Sequence, residues 1–148
     1  MVKRVLVAED DPSDVFFLQR AFHAAALPST SLHFVQDGQE AIDYLEGEKG
    51  YSDREAYPLP DLILLDLKMP RMNGFDVLDW LRKQPRLKRL LVTVLTSSDQ
   101  PQDINRAYDL GANSYLLKPH SSEHLSDLVK HLQKYWLELN RCPQDARL

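Results

Sequence analysis

Five apolar runs punctuate the chain: RVLVAE at 4–9, SLHFVQ at 31–36, LILLDL at 62–67, LLVTVLT at 90–96 and SYLLK at 114–118. Each is short, aliphatic or β-branched, and bounded by turn residues, which predicts strands, the third of them buried on both faces. Between the runs the apolar positions recur every three or four residues. Asp11-Pro12-Ser13-Asp14 reads as an N-cap, a first-turn proline and an acid three positions beyond the cap, opening a helix through Phe17, Leu18, Ala21 and Phe22. Phe75, Leu78 and Leu81 mark a third helix; Ile104, Ala107 and Tyr108 mark a fourth, stopped by Gly111; Ser121 or Ser122 caps the last. Strict strand–helix alternation predicts an α/β fold, a doubly wound parallel sheet with right-handed crossovers and helices on both faces.

Two stretches break the rhythm. GEKGYSDREAYPLP at 47–60 is longer than most connections and polar, so a solvated insertion is expected, with a binding loop as the alternative. The last helix carries Leu125, Leu128, Val129, Leu132, Trp136 and Leu139 on one face by the 100° rule. That stripe runs ~21 Å, longer than the ~17 Å of a five-residue strand, so it outlasts the sheet. Tyr135, Trp136 and Leu139 are therefore expected to form an exposed apolar patch and, with the 140–148 tail, part of a homodimer interface. The alternative is that Trp136 and Leu139 fold back under the 47–60 stretch.

Composition narrows the field. With 148 residues, 43% of them hydrophobic, the chain fits one domain. A net charge of -4 and scattered lysines and arginines give no footprint for nucleic acid. No segment approaches the ~20 apolar residues needed to span a bilayer and the N-terminus lacks a signal-peptide pattern, so no membrane partner and a cytoplasmic location are expected. Cys142 is the lone cysteine, and the five histidines lack zinc spacing.

In a doubly wound sheet, ligands bind beyond the carboxyl ends of the strands. Those ends hold Glu9, Asp10 and Asp11 after the first run, Asp66 in the third, Thr96, Ser97 and Ser98 after the fourth, and Lys118 after the fifth. Carboxylates gathered at one edge repel by about 4 kcal/mol per close pair at an effective dielectric of 20, so a cation must offset them. Lys118 is one candidate and a hard divalent cation the other; an all-oxygen donor set favours Mg2+ over zinc. Such a site suits phosphoryl transfer, with Asp66 as nucleophile.

VLVAEDDPSD, LILLDLKMPRMNG, VLTSSD and SYLLKP, in this order, resemble the signature segments of the receiver domains of two-component response regulators, and they span nearly the whole chain. The resemblance implies a CheY-like five-stranded parallel sheet in the order 2-1-3-4-5 and a sensor histidine kinase as phosphoryl donor. By position it makes Asp66 the phosphorylated residue, Asp10 a direct Mg2+ ligand, Glu9 the second pocket acid, and the backbone carbonyl of Lys68 a third ligand. Thr96 and Tyr115 match the switch pair and Lys118 the lysine that meets the phosphoryl group. Glu9 stands where aspartate is commoner, and Lys68 puts a flexible cation two residues past the acceptor.

Taken as a whole, residues 1–148 read as a single receiver domain with an extended C-terminal helix and tail, about 133–148, and no effector domain. Output is then through binding of a downstream protein rather than catalysis. The 47–60 stretch and HLQKYWLELNRCPQ look similar to the small regulators that serve bacterial phytochrome kinases, which implies a bacteriophytochrome as the kinase. Two other readings compete. A phosphatase of the haloacid dehalogenase type needs an acid two residues beyond its nucleophile, where this chain has Lys68, and an inert receiver-like scaffold need not keep the acids, threonine and lysine together.

Overall fold

The structure, a computed structural model, describes residues 2–25 and 30–143. Five strands, β1 Lys3–Ala8, β2 Thr30–Val35, β3 Leu62–Leu65, β4 Leu91–Thr96 and β5 Ser114–Leu117, alternate with α1 Pro12–Ala24, α2 Gly38–Glu46, α3 Gly74–Arg82, α4 Pro101–Asp109 and α5 Ser122–Leu132. All strand pairs are parallel, in the order β2-β1-β3-β4-β5. The α/β, doubly wound sheet expected from the alternation is the fold observed.

β3 shows why the third apolar run has no polar alternation. It lies at the centre of the sheet, and each of its four side chains is buried. Leu62 and Leu64 join Val5, Val7, Leu18, Phe22 and Val129 on the face covered by α1 and α5. Ile63 and Leu65 join Leu6, Ala8, Leu45, Leu78 and Ala107 on the face covered by α2, α3 and α4. A strand with period-two side chains needs apolar residues at every position only when both faces are covered.

The predicted Asp11 cap is observed, and α2 and α3 start on side-chain caps of their own. Asp11 accepts from Ser13 N, Asp37 from Glu40 N, and Asn73 from Asp76 N in a complete capping box. Ser121, rather than Ser122, caps α5. Gly111 adopts φ +103, one residue past the Leu110 cap of α4.

The 47–60 stretch is solvated over residues 48–50, 52–53 and 55–56, as expected, but it is also tied to the core. Tyr51, Tyr57 and Leu59 pack against the core on the α2 side, and Tyr51 and Tyr57 meet the His33 ring edge-on at 5.7 and 5.6 Å. The Tyr44 hydroxyl donates to Pro58 O at 2.8 Å. Arg54 anchors the segment: Nη1 donates to Tyr44 O and Tyr57 O, and Nη2 to Leu45 O, at 2.8–3.1 Å. These include orphan carbonyls of the last turn of α2, which ends at Gly47 with φ +78. The polar letters of the segment conceal the half-buried anchors Tyr51, Tyr57 and Leu59.

At the C-terminal stripe Tyr135 and Leu139 are exposed as expected, whereas Trp136 is partly buried and Leu137 joins the core. After Leu132 the helix widens into a π-helical stretch, Gln133–Leu139. An i→i+5 turn takes more residues than 3.6, so the buried face is re-phased. Leu137 is 5% exposed while Leu139 is 62% exposed and Tyr135 55%. Trp136 packs partly against the α1/α5 core, on the sheet face opposite the 47–60 segment, so it does not fold back beneath that segment. Residues 144–148 of the expected tail lie outside the described residues.

Replacing Arg54 by alanine leaves three carbonyls without their charged donor. Arg54→Ala should lower stability by about 2 kcal/mol, read as a reduced urea midpoint, whereas alanine at the exposed Arg86 should stay within about 0.5 kcal/mol of the parent.

Candidate functional site

The site lies at the carboxyl ends of β1, β3, β4 and β5, and backbone ladders set its residues. Beyond the regular strands, Glu9 N bonds Val35 O at 3.0 Å, Asp66 N bonds Ala8 O at 3.1 Å and Lys118 N bonds Thr96 O at 2.8 Å. Each functional residue is thus the first past its strand or nearly so, held in sheet register before its side chain does anything.

The Lys118 ammonium sits at the centre. Nζ lies 2.6 Å from Glu9 Oε1, 2.8 Å from Asp14 Oδ2 and 2.9 Å from Asp66 Oδ2. Glu9 and Asp66 are almost fully buried, while Asp10 points outward beside them. One carboxylate oxygen each from Glu9, Asp10 and Asp66 falls within 4.8 Å of the others. An all-oxygen set of this span suits a hard divalent cation, so the residues fit the ion that the sequence implies.

Burial pushes the Glu9 carboxyl up to about 7, and the neighbouring Asp66 charge adds to this, against the pull of Lys118. Burial alone would lower the Lys118 ammonium. Its bonds to Asp14, Glu9 and Asp66 outweigh that, and it is held above its ordinary value. Among the described residues, this is where carboxylates and a lysine meet with the least water to screen them.

The loop after β3 turns sharply round the site. Lys68 is exposed, and its N–H approaches Asp66 Oδ1 at 3.4 Å, so its side chain belongs to solvent rather than to the cluster. Gly74 begins α3 so close to the Asp66 backbone that a Cβ there would collide with Asp66 O and sit 2.9 Å from Leu67 Cα. The Asn-Gly pair is therefore what lets α3 start against the strand end.

Thr96 closes β4 fully buried, its hydroxyl without a hydrogen-bond partner. Across from it the half-buried Tyr115 hydroxyl donates to Ser98 O at 2.8 Å, and burial raises that phenol above its ordinary value. The tyrosine is already turned towards the loop after β4. Ser98 Oγ in turn donates to Asp103 Oδ2 at 2.5 Å, tying that loop to the first turn of α4.

Residues 5–130 match the family model of the response regulator receiver domain. The chain belongs to that family. Among curated relatives of the receiver, the "Probable methanogenesis regulatory protein FilR2" of Methanothrix harundinacea (strain 6Ac) is 36% identical, over 96% of this chain and 88% of its own. Response regulator Rcp1 of Synechocystis sp. (strain ATCC 27184 / PCC 6803 / Kazusa) is 33% identical, over 95% and 93%. A structure of the phosphorylated cyanobacterial phytochrome response regulator RcpA superposes with a TM-score of 0.90 at 35% identity, covering 97% of this receiver and all of RcpA. The Mn2+-bound form of Rcp1 gives 0.84 at 33%, covering 95% and 99%. The chain is thus a receiver related to phytochrome response regulators, the narrower kinship that the 47–60 stretch and the C-terminal end suggested.

The sequence located Glu9, Asp10, Asp66, Thr96, Tyr115 and Lys118 in this pocket of the receiver. It missed Asp14, which reads as a helix-capping acid yet turns its carboxylate to Lys118. The available signal was its place at the third position of α1, one turn from the acid pair. Among the described residues, no helix is long and apolar enough to cross a membrane.

The Glu9 shift makes a signed prediction for metal-free receiver. A carboxyl raised from the usual carboxylate range to about 7 binds its proton more tightly when folded, so stability falls as pH rises through that window. Relative to Glu9→Gln, the parent in chelator should lose up to about 3 kcal/mol between pH 4.5 and 7, measured as diverging urea midpoints.

Proposed function

We propose that this receiver accepts a phosphoryl group on Asp66 from a phosphohistidine of a sensor histidine kinase, in a Mg2+-dependent reaction. The observation that carries the reading is the meeting of Glu9, Asp10 and Asp66 oxygens within 4.8 Å, with Lys118 Nζ 2.9 Å from Asp66. An Asp66 oxygen attacks phosphorus, an O–P bond forms, and the P–N bond breaks with its electron pair left on the imidazole nitrogen. Mg2+, held by Glu9, Asp10, Asp66 and the backbone carbonyl of Lys68, supplies charge neutralisation at the phosphoryl oxygens.

The chain's own residues do the rest. Lys118 keeps one N–H on the Asp66 oxygen and transfers it to a phosphoryl oxygen after the group arrives. Burial of Asp66 keeps water from competing as nucleophile. The orphan hydroxyl of Thr96 gains its first partner in a phosphoryl oxygen, which draws the loop after β4 inward; Tyr115, bonded to Ser98 of that loop, follows. The altered surface of α4, β5 and α5 then binds a downstream protein. The names of the relatives favour a bacteriophytochrome as the kinase, and a single-domain signalling role in the cytoplasm, without turnover of a separate substrate, accords with this reading.

A second copy of the chain is proposed at the β5–α5 edge. Here Leu116, Leu128, His131, Tyr135 and Trp136 line a hollow of about 410 Å³. Tyr135 and Leu139 stand out beside it, 55% and 62% exposed. One surface holding both a hollow and protrusions is what a two-fold contact requires of itself. Since Trp136 is partly built into the core, Tyr135 and Leu139 are the residues to change.

Two experiments test these readings. With a labelled phosphodonor and Mg2+, the parent should label, chelator should abolish the signal, Lys118→Ala should weaken it at least about tenfold, and Asp66→Asn should show none. Label persisting on Asp66→Asn would move the acceptor elsewhere. In sedimentation at micromolar concentration the parent should run as a dimer and the Tyr135→Ser, Leu139→Ser pair as a monomer; a monomeric parent removes the dimer.

A further inference from the structure

Four helices of this receiver, α1 to α4, carry an acid at the third position, but only α2 and α3 use it on a backbone N–H at their own start; in α4, Asp103 accepts from the Ser98 hydroxyl instead. In α2, Glu40 Oε1 accepts from Gln36 N at 2.7 Å, and in α3 Asp76 Oδ2 accepts from the cap residue Asn73 N at 3.3 Å. In α1 the equivalent N–H, of Asp11, is taken by Glu9 Oε2 at 3.1 Å. Asp14 is thereby released from capping, and its carboxylate meets Lys118 Nζ at 2.8 Å.

An ammonium has three N–H groups in tetrahedral directions. Here three carboxylates surround it, and Glu9 and Asp66 are also candidate cation ligands, whereas Asp14 lies outside that triad. With two N–H directions fixed, the third has no rotational freedom left. We propose that Asp14 is a positioning residue: together with Glu9 it pins Lys118 so that the remaining N–H points at the Asp66 oxygen that would receive the phosphoryl group. Asp14 itself touches neither the reacting oxygen nor the cation. Without it the lysine keeps its charge but loses its aim, and the four-carbon stem can swing towards the solvent-facing side of α1.

This rests on phosphorylation at Asp66, and the test separates the two. Asp14→Ala removes charge and acceptor, while Asp14→Asn keeps an acceptor oxygen of the same reach and guards against a folding defect. Two readouts are taken on each: labelling rate with a small acyl phosphate at saturating Mg2+, and water exchange of the Lys118 ammonium protons by NMR without any phosphodonor. Asp14→Ala should label on the order of tenfold more slowly, with Mg2+ affinity within about twofold of the parent and clearly faster ammonium exchange. Asp14→Asn should retain most of the rate and the protection. Unchanged exchange in Asp14→Ala, or equal losses in both variants, overturns the proposal. If the parent fails to label while exchange still rises in Asp14→Ala, the acceptor reading falls and the hold of Asp14 on Lys118 stands.

Discussion

One buried ammonium makes the site possible. Glu9 and Asp66 project from adjacent strands into a space that excludes most water, where two unit charges a few ångströms apart repel by several kcal/mol. Lys118, delivered from the far side of the sheet by β5, is the counter-charge within reach of both. Strand order is what brings it there: β4 lies between β3 and β5, and the long lysine stem spans that gap. A shorter cation would leave the carboxylates unpaired, and burial would then protonate them.

The same constraint accounts for the surrounding architecture. Apolar β3 and the layers on its two faces serve to hold strand ends rigid to within a hydrogen bond, since a loose lysine would satisfy one acid at the expense of another. Gly74 and the capping box of α3 bring a helix directly against the Asp66 backbone. The loop after β4, tied by Ser98 to Asp103 and Tyr115, forms the remaining wall.

Much of this was legible in the sequence. The fold followed from alternation, because covered parallel strands must be apolar throughout, and the site followed from asking which polar residues stand at strand ends. What stayed hidden was of two kinds. Asp14 looked like an ordinary capping acid, since its partner lies 104 residues away and helix-start statistics cannot see it. The 47–60 segment looked solvated throughout because its half-buried anchors, Tyr51, Arg54 and Tyr57, stand among exposed polar residues and hold it through backbone carbonyls and ring contacts that composition does not show. The burial of Leu137 was missed because a 100° wheel assumes an α-helix, and the π-helical stretch breaks that assumption.

The π-helical stretch begins where α5 ends, and the Lys118 cluster draws its residues from the ends of β1, β3 and β5 and from α1, not from this stretch. Removing a single residue there would re-phase everything downstream about the helix axis while the acid cluster kept its place on the strand ends. Tyr135 and Leu139 could then face a different direction at no expense to the acid cluster. Chain length in this one stretch sets which way Tyr135 and Leu139 face, separately from the strand ends that hold the acid cluster.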